Sequence, residues 1–233
     1  MPLLEQMEKP LKPAEFAERK ILEAILDRSY EPGDALPGER VLAQSLGVTR
    51  PTLRETLQRL AREGWVTIAH GKPTRVNDYL SQGGLGILTT LAKYGDYLSW
   101  DMVLHLLKAR CMILPGAARQ AVENDPMAIV EFLDTGLPTS LDPASFARFD
   151  WELQTLMVKA AKNPVLIMIF NDFARVYHLL GEGYSMMKKA EKSSRQYYSD
   201  LKMAIEKGED VYGLVESAMV QAHDLWEAEH EDE

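Results

Sequence analysis

The sequence predicts a mainly α protein in two parts: an N-terminal winged helix-turn-helix with a small β-hairpin, then a C-terminal all-helical bundle. Three observations carry this reading. Apolar residues recur at helical spacing through most of the 233 residues, between Pro and Gly breaks. One short run rich in β-branched residues, "WVTIAHGKPTRVN", is broken by His70-Gly71-Lys72-Pro73 and reads as a two-stranded hairpin. Charge is also divided unevenly. Residues 40–77 hold seven Lys/Arg against two acids, whereas residues 78–233 hold 14 against 24, within a chain of net charge −9. A basic part joined to an acidic part points to a nucleic-acid-facing segment with a second module attached.

The elements follow in order. Ala17, Ile21, Ala24 and Ile25 place a helix over about 13–29. "YEPGDALPGER" is a loop by its two Pro-Gly pairs. A short helix follows, with Val41, Leu42 and Leu46 apolar and Gly47 as its stop. Thr49 can cap a third helix that tolerates Pro51 in its first turn, carries a Leu53/Leu57/Leu60 stripe and ends at Gly64. Three helices and a hairpin make the winged helix-turn-helix, assigned to residues 1–78. Residues 79–98, with "SQGGLG", read as a linker or connecting helix. From 99 to 233 helices are expected over about 99–123, 126–133, 143–162, 164–181, 190–207 and 211–229.

Composition bounds the function. Hydrophobic residues make up 46% and charged residues 26%, ordinary for a globular chain. No apolar run approaches the roughly 18 residues of a membrane span, and the N-terminus lacks a secretory layout. With the single Cys111, this gives the expectation of a cytoplasmic protein without membrane contact. Asp150 and Glu152 lie two apart on different helix faces, and the sequence holds no nucleophile–base arrangement or Gly-rich phosphate loop. An enzyme in the helical part is therefore the weaker reading.

The third helix carries the chemistry. A helix N-terminus favours phosphate, and Thr49, Arg50 and Thr52 cluster there. Arg54 follows Arg50 by one turn, beside the leucine stripe, and arginine can bond guanine O6 and N7 in parallel. Arg40 opens the preceding helix and can reach the same groove. The hairpin tip, His70, Gly71 and Lys72, suits a minor groove or backbone contact. Arg59 and Arg62 are expected to be surface support.

The run "ALPGERVLAQSLGVTRPTLRETLQRLAREGWVTIAHGKPTRV" closely resembles the DNA-binding domain of the GntR superfamily of bacterial transcription regulators. The resemblance is nearest to its FadR branch and extends more weakly through "RFDWELQTLMVKAAKNPVL" and "YYSDLKMAIEKGE". It implies DNA contacts from Arg40, Thr49, Arg50, Thr52, Arg54, His70 and Gly71. Pro51 departs from that branch, where threonine is usual. The resemblance also implies a homodimer on a palindromic double-stranded DNA operator and an effector-binding bundle.

Many relatives hold a metal there with one aspartate and three histidines. Here Asp150 is followed by Gln154, the next ligand position falls near Tyr198 and the last near Val220, with His223 almost a turn further on. Resemblance to the FadR branch instead implies a fatty acyl-CoA effector, no cofactor, and effector contacts from Arg110, Tyr177 and Trp226. Met157, Ile167, Ile169, Phe170, Phe173 and Met219 could line an acyl tunnel or simply form core. Arg110, in an apolar helix, needs Asp150 or a ligand anion as acceptor. The alternative is a regulator sensing a small organic acid through a metal on a shifted site that includes Asp150 and His223.

Overall fold

The computed structural model describes residues 11–93, 99–136 and 142–231. Contacts divide the chain into two compact units, Met1–Tyr97 and Leu98–Glu233.

In the first unit α1 (Pro13–Leu26), α2 (Glu39–Leu46) and α3 (Arg50–Glu63) precede β1 (Val66–Thr67) and β2 (Arg75–Val76). The strands pair antiparallel, with Val66 opposite Val76 and Thr67 opposite Arg75. Leu53, Leu57 and Leu60 of α3 are buried against Ala17, Ile21, Leu22 and Ile25 of α1. On α2 the buried face is Leu42 and Ala43, while Val41 points to solvent. Thr49 caps α3, its hydroxyl accepting from the Thr52 amide at 3.3 Å. At the other end, Gly64 is left-handed (φ 93°) and lies hard against the next segment. A Cβ at this position would come within 2.8 Å of the Gly83 Cα.

The segment expected to connect the two parts forms α4 (Tyr79–Gln82) and α5 (Gly86–Lys93), which pack within the first unit. Ile87, Thr90 and Leu91 are buried. The Thr90 hydroxyl donates to Glu63 Oε2 at 2.8 Å, and Lys93 pairs with Glu18 of α1 at 3.0 Å. Residues 94–98 of the expected linker, and 1–10 of the expected DNA-binding domain, lie outside the described residues.

The second unit holds α6 (Trp100–Asn124), α7 (Pro126–Asp134), α8 (Pro143–Ala160), α9 (Pro164–Met186), α10 (Lys188–Lys207) and α11 (Tyr212–Glu231). Side chains of Ser99, Asp125, Asp142 and Asn163 cap four of these, each just before a run with helical periodicity. Helix α8 packs on α9, α6 on α11 and α8 on α6. The core is built on Leu114, Ala118, Ile129, Leu153, Met157, Leu201 and Val215, all essentially inaccessible. No helix among the described residues is long and apolar enough to cross a membrane.

Several boundaries differ from the sequence expectation; α1 stops at Leu26 instead of about residue 29, and the largest difference is in α9. Helix α9 does not stop at Gly181 but runs on to Met186. Gly181 is a packing residue, since a Cβ there would meet Ala147 of α8 at 3.0 Å and the Tyr177 ring at 3.3 Å. The missing side chain allows close helix approach and outweighs glycine's poor helix propensity, about 1 kcal/mol.

Candidate functional site

The exposed face of α3 begins with the residues expected to meet DNA. Arg40, Thr49, Arg50 and Arg54 are exposed and Thr52 is partly so. The Thr49 and Thr52 hydroxyls also bond each other at 2.8 Å, so they order the start of α3 as well as facing outward. His70, Gly71 and Lys72 sit exposed at the tip of the hairpin, where the Lys72 amide bonds the Ala69 carbonyl at 3.2 Å and Gly71 is left-handed (φ 70°).

Arg59 and Arg75 are tied to other parts of the unit. Arg59, expected to be surface support, is a half-buried ion-pair partner of Glu18, itself only 6% exposed. Its side chain turns toward α1 because the later turns of α3 pack there. Arg75 donates from Nη1 to the Gly33 carbonyl, tying β2 to the loop before α2. Arg62 remains exposed in the last turn of α3, where a cation suits the helix dipole.

In the second unit an apolar cavity of about 60 Å³ lies among α6, α9 and α11. This is smaller than a pocket that encloses a whole ligand, so a long chain enters only if the walls part. Arg110, Tyr177 and Trp226 all line it, with Leu107, Phe170, Phe173, Leu180 and Tyr184. Trp226 lies 5.2 Å from the Trp100 ring and 6.4 Å from Tyr184. Phe170 and Phe173 are the two tunnel candidates that reach the cavity. Met157 is sealed in the core, and Met219 lies beneath Arg110, its Sδ accepting from Nε at 3.0 Å.

The electrostatics of the cavity centre on Arg110. Among the described residues no carboxylate lies within ion-pair distance of it. Asp150 is engaged elsewhere: Tyr198 Oη donates to Oδ1 at 2.7 Å, Gln154 Nε2 to Oδ2 at 2.5 Å, and the Tyr177 hydroxyl to Oδ2. Burial works against the Arg110 charge, yet the Tyr177 and Asp150 oxygens outweigh it and hold the guanidinium above its ordinary range. Burial and the Asp150 charge push both tyrosine hydroxyls well above theirs. Both phenols stay protonated donors, and Arg110 stays a cation facing an apolar space.

The family follows from comparison. Residues 13–76 match the model of bacterial regulatory proteins of the gntR family, and residues 77–232 match the FadR C-terminal domain. The chain belongs to the FadR branch of the GntR family. It is 36% identical to a fatty acid metabolism regulator protein of Shewanella pealeana over 94% of this chain and 93% of the relative. The Shewanella frigidimarina protein of the same name is 35% identical over the same shares. Among solved structures, Lar, described as controlling the agr system of Listeria monocytogenes, matches with TM-score 0.54 at 17% identity, covering 94% of this chain and all of Lar. This likeness shows the fold. As a FadR-type member of the GntR family, the chain is a DNA-binding transcription regulator and not an enzyme.

Within this FadR-type bundle the donors for a metal are not assembled around Asp150. Its oxygens take two phenols and an amide, while His223 faces Asp224 of its own helix at 3.1 Å. Among the described residues the one group of metal-type donors is His223, Asp224 and Glu227, which leaves Asp150 out. Among the described residues Asp150 and His223 are not brought into one set of metal-type donors. Sequence reasoning also passed over Glu39, which sits between Arg50 and Arg54 across the α2–α3 turn.

Proposed function

We propose that this regulator binds a palindromic double-stranded DNA operator as a homodimer, and that a fatty acyl-CoA entering the α6/α9/α11 cavity shifts its operator affinity. In this reading residues 1–78 carry the DNA contacts, 79–98 connect, and 99–233 bind effector and dimerise, in the cytoplasm where the DNA lies. Arg40, Thr49, Arg50, Thr52, Arg54, His70, Gly71 and Lys72 form the DNA face. Arg110, Tyr177 and Trp226 hold the effector, with no cofactor.

One observation carries the effector reading: Arg110 brings a charged guanidinium to an apolar cavity with no carboxylate among the described residues in ion-pair distance. Apolar walls suit an acyl chain that parts them on entry, and the Arg110 guanidinium suits its oxygen-bearing head. The names of the relatives, regulators of fatty acid metabolism, support the same choice. Such a ligand can move operator affinity only through different contacts with two arrangements of the protein. The test is operator binding with and without a long-chain acyl-CoA. Unchanged affinity at saturating ligand refutes the effector assignment.

The DNA face has its own test. Lysine at Arg50 or Arg54 keeps the charge but loses the paired donors. Each change is expected to cost about 1–3 kcal/mol of operator binding where a bidentate base contact is lost, with little effect on random duplex. Unchanged discrimination between operator and random DNA would remove that arginine from base reading.

A further inference from the structure

An acid sits within the basic face. Glu39 is the first residue of α2, where a carboxylate suits the positive end of the helix dipole. Its Oε2 accepts from Arg54 Nε at 2.7 Å and lies 3.7 Å from Arg50 Nη2. One carboxylate thus bridges two arginines spaced by one turn of α3. Beside a polyanion this charge lowers affinity for every duplex.

The atoms used explain what is gained. A guanidinium has a side edge that includes Nε and a tip formed by its two terminal nitrogens. Glu39 engages Arg54 at Nε and leaves the tip free, and the tip is the edge that meets guanine O6 and N7. The Arg50 and Arg54 side chains are 57% and 61% exposed, so without a partner they would sample many rotamers. A charge-assisted bond orders Arg54 before DNA arrives, and Arg50 has the looser ion pair alone. At a wrong base pair, Arg54 can re-aim only by giving up Glu39.

We propose that Glu39 is a specificity-determining positioning residue, which aims Arg54 at a base edge and gives up general DNA affinity for discrimination. This rests on the reading of Arg54 as a base reader. The experiment uses the full chain and an operator selected by the wild-type protein from a random duplex pool. Glu39→Gln, Glu39→Asp, Arg54→Lys and the Glu39→Gln/Arg54→Lys pair are compared on the operator, on its single-base variants and on random duplex, with melting temperatures alongside.

Glu39→Gln is expected to melt like wild type, bind random duplex more tightly and lose about tenfold in the operator-to-random ratio. Discrimination should vanish at the same base pair as in Arg54→Lys, and the double variant should be no worse than Arg54→Lys alone. The shorter Glu39→Asp should lose discrimination in the same place. An equal rise on operator and random duplex would make Glu39 a charge brake only. An equal loss on both, with a lower melting temperature, would make it a structural residue of α2. Either result overturns the inference. If Arg54→Lys keeps full discrimination, the base-reader assignment has failed. If it relaxes one base pair and both Glu39 variants relax none, the aiming role alone has failed.

Discussion

Arg110→Met is expected to abolish the effector response while leaving operator binding intact. The guanidinium donates to the Met219 thioether, lies 5.9 Å from the centre of the Tyr177 ring and otherwise faces the apolar cavity, with Asp150 acting on its charge at longer range. Methionine fills much of the same volume with no polar group to desolvate, and Asp150 keeps its phenol and amide donors, so the variant should stay folded. Losing one partner of a buried charge contact typically costs about 2–5 kcal/mol of ligand binding, roughly 30-fold or more in affinity. Calorimetric titration with a long-chain acyl-CoA, paired with operator binding, measures both halves. A variant that still responds at wild-type ligand concentrations would show that Arg110 does not hold the effector.

The second large effect is on stability. Trp65→Ala should cost the DNA-binding unit about 3–5 kcal/mol, the usual range for emptying a buried aromatic site. Trp65 is fully buried and lies 4.9 Å from the Tyr79 ring. Its Nε1 donates to Glu63 Oε2 at 3.3 Å, the oxygen that also takes the Thr90 hydroxyl. The truncation therefore opens a void and loosens the point where α3, α4 and α5 meet. Thermal unfolding followed by circular dichroism should show an early transition lost to lower temperature, with the bundle's transition kept and operator binding gone at physiological temperature. A shift worth less than about 1 kcal/mol would mean that the site collapses around the smaller residue.

Much of the fold was legible because its signals are local. Thr49 before Arg50-Pro51, Asn163 before Pro164, and the leucine stripe of α3 each mark an element within a turn or two of chain. What escaped depends on distant neighbours. The run of α9 through Gly181 follows from Ala147 on α8, not from any helical preference of glycine. The Arg59–Glu18 and Arg54–Glu39 pairs join different helices, and sequence periodicity says nothing about which charges meet across them. Asp150 takes its phenols from α9 and α10, 27 and 48 residues away. The cavity shows the same division. Arg110 stands out as a cation in an apolar helix, but that Phe170 and Phe173 reach the space while Met157 does not is decided by helix rotation and packing.

The half-buried Arg59–Glu18 pair changes what the ionic atmosphere of the DNA will register. Seven cations lie between residues 40 and 77, and counting them all would overstate how many displace counterions from the duplex. Arg59 is turned inward onto Glu18, which it shares with Lys93, and is not placed to displace an ion from a phosphate. The logarithm of affinity should therefore fall against the logarithm of salt with a slope smaller by about 0.9 per protomer than a simple count gives. Arg59→Gln is expected to lower the melting temperature and leave that slope unchanged. A shallower slope in the variant, measured across a salt series, would place Arg59 on a phosphate after all.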